Sequence, residues 1–213
     1  MMPAMTAAKG EDEAGARVIP ISDRVLLERH RRGDPDAFAA LVAAFRAPVF
    51  GYLTRCGVAP SERDDLFQEV FLRVHRAVGP GTSAELPTPP IAPWIFAIAV
   101  NLVRSHFRKA SVRAVVKLDS EASERAMGSD HGAERTLAVR RELAWLEEAM
   151  GKLPLEQREA LVLSAVQGLE LSEVAAALEV PVDTVKTRVR RARLALAEAK
   201  ARAAVRAERE EAR

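Results

Sequence analysis

The sequence predicts an all-α protein: two small helical bundles joined by a flexible linker. Three observations carry this. Ala is abundant and, with Leu, Arg and Glu, tilts the composition toward good helix formers. Apolar residues recur at helical spacing along most of the chain, and no strand-like alternation exceeds a few residues. Between residues 110 and 132 that period lapses and Ser, Gly, Asp and Glu take over, which marks the linker. The chain has 213 residues, enough for one large domain or two small ones. With 48% hydrophobic and 29% charged residues it has apolar surface to bury, which argues against disorder throughout.

Residues 1–20 mix Met, Ala, Gly, Pro and charge without a period and are expected to form a disordered arm. Helical pattern begins at Asp23. Asp34-Pro35 reads as an N-cap followed by proline at the first helical position, opening a helix through Phe38, Leu41, Val42 and Phe45, with a kink expected at Pro48 and an end at Gly57. Ser61 with Asp64 resembles a capping box for a helix to about Val78. Gly79–Pro90 is a loop with three glycine or proline residues at each end. A fourth helix is expected from about Ala92 to Lys109. Pattern resumes near Ala133 and stops at Gly151; Pro154 opens a helix that Gly168 closes; Ser172 is expected to cap a short helix to about Glu179; and after a Val180-Pro181 turn a long basic helix follows from Val182. The expected units are the arm 1–20, a bundle over 21–112, a linker over 113–132, a bundle over 133–200 and a helical tail over 201–213.

Several classes are disfavoured. One cysteine, Cys56, excludes an internal disulfide framework and a multi-cysteine zinc site. The longest apolar run, Ile91–Val100, has ten residues, whereas a membrane span needs about 20. The N-terminal stretch lacks an apolar core segment and does not read as a secretory signal. A soluble, cytoplasmic protein without membrane insertion is expected. There is no Walker loop, zinc-binding His pair or nucleophile elbow, and His30, His75, His106 and His131 are scattered. The expectation is no enzyme, no metal and no cofactor.

The net charge of +2 is uninformative, but its distribution is not. Asn101–Lys117 holds five bases and no acid, and Lys186–Arg206 holds eight bases and one acid; Asp119–Glu148 holds eight acids and four bases. A basic stripe in each half is the footprint of a polyanion binder that touches its target twice. Gly168–Arg193 has the spacing of a helix-turn-helix. Val185, Val189, Ala192 and Leu196 form a narrow apolar stripe, opposite Thr184, Lys186, Thr187, Arg190 and Arg191, with Arg188 and Arg193 on its flanks. Arg and Lys on such a helix can bond guanine O6 and N7 or neutralise phosphates, so Ser172, Thr184, Lys186, Thr187, Arg188, Arg190 and Arg191 are candidate DNA contacts.

In SERDDLFQEVFLRVHRAV, the residues Leu66, Phe67, Val70, Phe71, Val74, Ala77 and Val78 share a core face. Leu72 lies about 180° away from that stripe. It is framed by Asp65, Gln68 and Glu69, with Asp64 beside them: an apolar anchor with an acidic rim, suited to a basic protein partner. In WIFAIAVNLVRSHFRK, Ile95, Ala99, Leu102, Val103 and His106 face one way, and Trp94, Asn101, Arg104, Ser105 and Arg108 the other. Trp94 is either a core anchor or a stacking platform for an unpaired base, with Asn101, Arg104, Arg108 and Lys109 along the strand backbone. His106 reads as a core histidine.

The segments DDLFQEVFLRVHRA, PWIFAIAVNLVRSHFRKA and LPLEQREALVLSAVQGLELSEVAAALEVPVDTVKTRVRRARLAL, in this order, resemble the extracytoplasmic-function class of sigma-70-type sigma factors over most of residues 23–200. The resemblance implies that 21–112 is region 2 and 133–200 is region 4. It implies that Asp64, Asp65, Gln68, Glu69 and Leu72 dock on the clamp of the RNA polymerase largest subunit. By the same resemblance the tryptophan helix and its preceding loop recognise and melt the −10 element, the helix-turn-helix reads the −35 element, and an anti-sigma factor holds the protein inactive. The sequence departs from the family at Ser105, where an acid is usual, at Ile91-Ala92-Pro93, where an aromatic and a base are usual, and in the long proline-rich loop, which predicts unusual −10 specificity. The competing reading is a stand-alone helix-turn-helix regulator, for which the patch around Leu72 would have no use.

Overall fold

In the computed structural model, which describes residues 23–88, 90–116 and 137–211, the chain opens on helix α1 (Asp23–Arg31), which buries Leu26, Leu27 and His30. Helix α2 (Pro35–Arg55) is capped as its sequence dictates: the Asp34 carboxylate accepts the backbone N–H groups of Asp36 and Ala37 at 3.0 and 3.3 Å. The helix continues through Pro48, and Leu41, Phe45, Val49, Tyr52 and Leu53 are buried on both sides of it. This is a helix long and apolar enough to cross a membrane by length and composition. The buried share of its apolar residues belongs to the core.

Cys56 caps α2, and Gly57 turns the chain with φ +88°. Helix α3 (Pro60–Val78) starts earlier than expected. Its N-cap is Ala59 with no side-chain bond, and Ser61 with Asp64 makes no capping box; Pro60, with φ already set, supplies the start instead. The loop to the next helix is tied to α1: Arg24 donates to the Pro87 carbonyl at 3.4 Å and Arg31 to that of Ala84. Helix α4 (Ala92–Val116) runs past the expected end at Lys109 and into the residues expected as linker, because no Gly or Pro interrupts Ala110–Val116. The rest of the expected linker and the arm 1–20 lie outside the described residues.

Helix α5 (Leu137–Lys152) precedes Pro154, which caps α6 (Leu155–Leu161). One π-helical turn, Val162–Val166, follows and Gly168 closes it. Helix α7 (Leu171–Leu178) is capped at Glu170, whose N–H is held at 2.7 Å by the Glu173 carboxylate; Ser172 sits inside the first turn and is not the cap. Glu179 adopts the left-handed conformation, φ 56°, and reverses the chain into α8 (Val182–Glu211), a single helix that includes the expected separate tail from 201.

Helices α1–α4 pack around Leu27, Leu41, Tyr52, Val70, Ile95, Phe96 and Val103, and α6–α8 around Leu163, Val174, Leu178, Val185 and Val189. The two bundles touch. Helix α4 packs on α7 and α2 on the π turn, so the two cores form one continuous buried cluster.

Candidate functional site

On α3 the inward face is Phe67, Val70, Phe71, Val74 and Val78, all buried. The opposite face carries Leu72, 47% exposed, among exposed Asp64, Asp65 and Gln68 and half-buried Glu69, which pairs with Arg73 at 2.9 Å. An apolar side chain of this size left in water beside carboxylates matches an anchor with a polar rim.

On α4, Ile95, Ala99, Leu102 and Val103 are buried. Asn101, Arg108 and Lys109 are exposed, and Trp94 is half-buried against the core, so its ring serves both the packing and the surface. His106 is half-buried and lies 3.4 Å from the Glu62 carboxylate. Arg104, expected in the outward group, turns to the other bundle. Its Nε and Nη2 donate to Glu159 Oε2 at 3.1 and 2.9 Å, and its Nη1 to the Leu178 carbonyl at 3.3 Å.

The helix-turn-helix is α7, the Glu179 turn and the start of α8. Val174, Ala175, Ala177 and Leu178 are buried against Val185, Val189 and Ala192, with Leu196 half-buried. The small Ala side chains let the helices approach closely. Ser172, Lys186, Thr187, Arg190 and Arg191 are exposed, and Thr184 and Arg188 are half-buried. Lys186 pairs with Asp183 at 3.0 Å, and the Thr187 hydroxyl donates to the Asp183 carbonyl at 2.9 Å, which fixes two side chains of the first turns.

Sequence reasoning missed the seam. Glu159 is fully buried there, and its carboxyl is pushed up by desolvation while the hydrogen bonds and charge of Arg104 and the charge of Arg188 pull it down. Buried Arg158 donates to the carbonyls of Cys56, Gly151 and Leu153 at 2.8, 2.6 and 2.9 Å. Gln167 reaches the Pro48 carbonyl at 3.1 Å. One signal was available: Leu155, Glu159, Val162 and Val166 share a helical stripe, so Glu159 interrupts an apolar face. The Cys56 thiol is pushed up to about 12, chiefly by burial, so it is a thiol and not a nucleophile at neutral pH. Among the described residues no cluster of three or more His, Cys, Asp or Glu could hold a metal ion.

The geometry therefore offers an acidic patch with a leucine anchor, a basic surface on α4 and a basic helix-turn-helix face. Residues 41–113 match the family model described as Sigma-70 region 2, and residues 143–196 that described as Sigma-70, region 4. The chain is 31% identical over 182 residues to the RNA polymerase sigma-H factor of Pseudomonas aeruginosa, covering 82% of this chain and 91% of that one. It is 31% identical over 185 residues to the ECF RNA polymerase sigma-E factor of Escherichia coli K12, covering 83% and 93%. The solved structure of CnrH in complex with the cytosolic domain of CnrY is similar, with a TM-score of 0.62 and 28% identity over 83% of this chain and 95% of that one. The sigma factor RpoE in complex with the anti-sigma factor NepR from Bartonella quintana shares the fold, with a TM-score of 0.61 and 21% identity over 76% of this chain and 95% of that one. A match to region 2 ahead of the helix-turn-helix disfavours the stand-alone regulator.

Proposed function

The chain belongs to the sigma-70 family of RNA polymerase sigma factors, in the extracytoplasmic-function class, and on that premise we propose how its surfaces divide the work. Helix α3 docks on core RNA polymerase, at the clamp of the largest subunit, through Leu72 with Asp64, Asp65, Gln68 and Glu69. Helix α4 and the loop before it engage the −10 element: Trp94 stacks on an unpaired base, and Asn101, Arg104, Arg108 and Lys109 follow the strand backbone. The first turns of α8, with Ser172 of α7, read the −35 element as a duplex. Thr184, Lys186 and Thr187 meet base edges or phosphates, and Arg188, Arg190 and Arg191 hold the backbone. An anti-sigma factor is the regulatory partner, as NepR is in the RpoE complex, and the protein acts in the cytoplasm with the polymerase.

The observation that carries this reading is Leu72, 47% exposed on the acidic face of a helix whose other apolar residues are inside. A core-facing leucine would have no reason to be there. The test is transcription in vitro by core enzyme plus the purified chain, with the transcripts sequenced. New start sites sharing one upstream element are expected; no initiation beyond that of core enzyme alone would overturn the reading.

A further inference from the structure

Glu159 sits where the two bundles meet. It belongs to α6 and its side chain is 0% exposed. Among the described residues its hydrogen bonds come from Arg104 alone, through Nε at 3.1 Å and Nη2 at 2.9 Å. The remaining Arg104 nitrogen, Nη1, is held by the carbonyl of Leu178, the last residue of α7. Arg188 of α8 stands close enough for its charge to act on the same carboxylate. Its Nη1 and Glu159 Oε1 are both buried, and neither bonds a group of the described residues. Two more ties cross the seam, from Arg158 to the Cys56 carbonyl and from Gln167 to the Pro48 carbonyl.

Arg104 is among the residues assigned to the −10 contacts and Arg188 among those assigned to the −35 contacts. A carboxylate offers a guanidinium the same paired anionic oxygens as a phosphate. An Arg104 whose Nε, Nη1 and Nη2 each donate inside the protein keeps only two of its five N–H groups for nucleic acid. We propose that Glu159 is an internal anion that competes with promoter phosphates for Arg104 and Arg188 and so keeps the free chain closed. This rests on the sigma-factor function proposed for the chain. The closed form is releasable because one oxygen, Glu159 Oε2, takes both of the hydrogen bonds that Arg104 gives the carboxylate, and a phosphate offers more acceptor oxygens in its place. Glu159 is also not a staple of its own bundle, since its partner in hydrogen bonding comes from the other one.

The test uses the full chain without polymerase, on the promoter mapped by the transcription assay. Glu159→Gln keeps the shape and removes the charge. Dyes on Ala40→Cys and Ala197→Cys, both exposed positions, report the separation of the bundles by energy transfer, and buried Cys56 stays unlabelled. If nine-tenths of the free chain is closed, the variant gains about tenfold in duplex affinity, because only the open fraction binds. Energy transfer falls with it. Gln167→Ala, which loosens the seam without touching Glu159, moves both readouts the same way by less. It decides the matter if Glu159→Gln loses helicity. Wild-type affinity and wild-type transfer in whichever variant is folded would overturn the latch. If the wild-type chain directs initiation with core enzyme while the variants bind DNA as it does, only the latch falls. If the wild-type chain directs none, the sigma-factor reading falls first.

Discussion

His30 Nε2 and His75 Nδ1 lie 3.0 Å apart, so the two rings share one hydrogen bond between α1 and α3. His30 is 5% exposed and stacks on Phe38 with ring centroids 4.4 Å apart. One ring donates and the other accepts, so protons on both facing nitrogens would break the bond and set like charges side by side.

Stability should therefore fall in mild acid. Burial, and then the His75 charge, lower the His30 pKa below the ordinary histidine value. The unfolded chain takes up the proton first. The His30 contribution is thus complete above about pH 6.5 and is lost as pH falls through that value toward the lowered one. The slope from this group is at most about 1.4 kcal/mol per pH unit. Urea midpoints measured between pH 7.5 and 5.5 should drop less for His30→Gln than for the wild type. Parallel curves would exclude His30 as the group responsible.

Leu72→Arg should leave the fold alone and remove polymerase binding. A substitution at an exposed site away from the core changes stability by no more than about 0.5 kcal/mol. An anchor at the centre of a patch is worth about 2 kcal/mol or more, roughly thirtyfold in affinity. Circular dichroism melts and binding to core enzyme separate the two effects. A variant that unfolds would mean that Leu72 packs inside.

Arg190 and Arg191 are both exposed on α8. Replacing both with Ala should weaken promoter binding and flatten the plot of log K against log salt by about 0.9 for each phosphate that the variant no longer neutralises. Anisotropy titrations at several salt concentrations measure it. A weaker complex with the wild-type slope would reassign these arginines to base edges.

Gly57→Ala should be costly. Gly57 has φ +88°, and a Cβ there would lie 2.8 Å from Arg158 Nη1. That guanidinium is held by three carbonyls and cannot swing away freely. Backbone strain alone predicts a loss of about 1–3 kcal/mol. Denaturant unfolding would detect it, and a change under about 0.5 kcal/mol would mean that the turn relaxes.

The elements are legible in the sequence where a local rule governs them. Asp34-Pro35 announces a capped helix because the carboxylate and the proline ring act within one turn. The stripe Val185, Val189, Ala192 announces the second helix of the reading motif because burial repeats with the helical period. Ser61 and Ser172 mislead because competing devices one residue away are stronger: the fixed φ of Pro60 and the Glu173 carboxylate. The end of α4 is hidden because composition changes at residue 110 while the helix does not. The seam is out of reach for a different reason. Arg104 and Glu159 are 55 residues apart in sequence, and no periodicity relates one bundle to the other. A pairing of that kind is set by how two finished surfaces meet.

Because α8 is continuous over 30 residues, it is a rod of roughly 45 Å. Its reading head and its far end cannot turn independently. A torque applied near Glu211 would arrive at Lys186 as a rotation of the same sense, so the far end of α8 and the face proposed to read DNA move as one body.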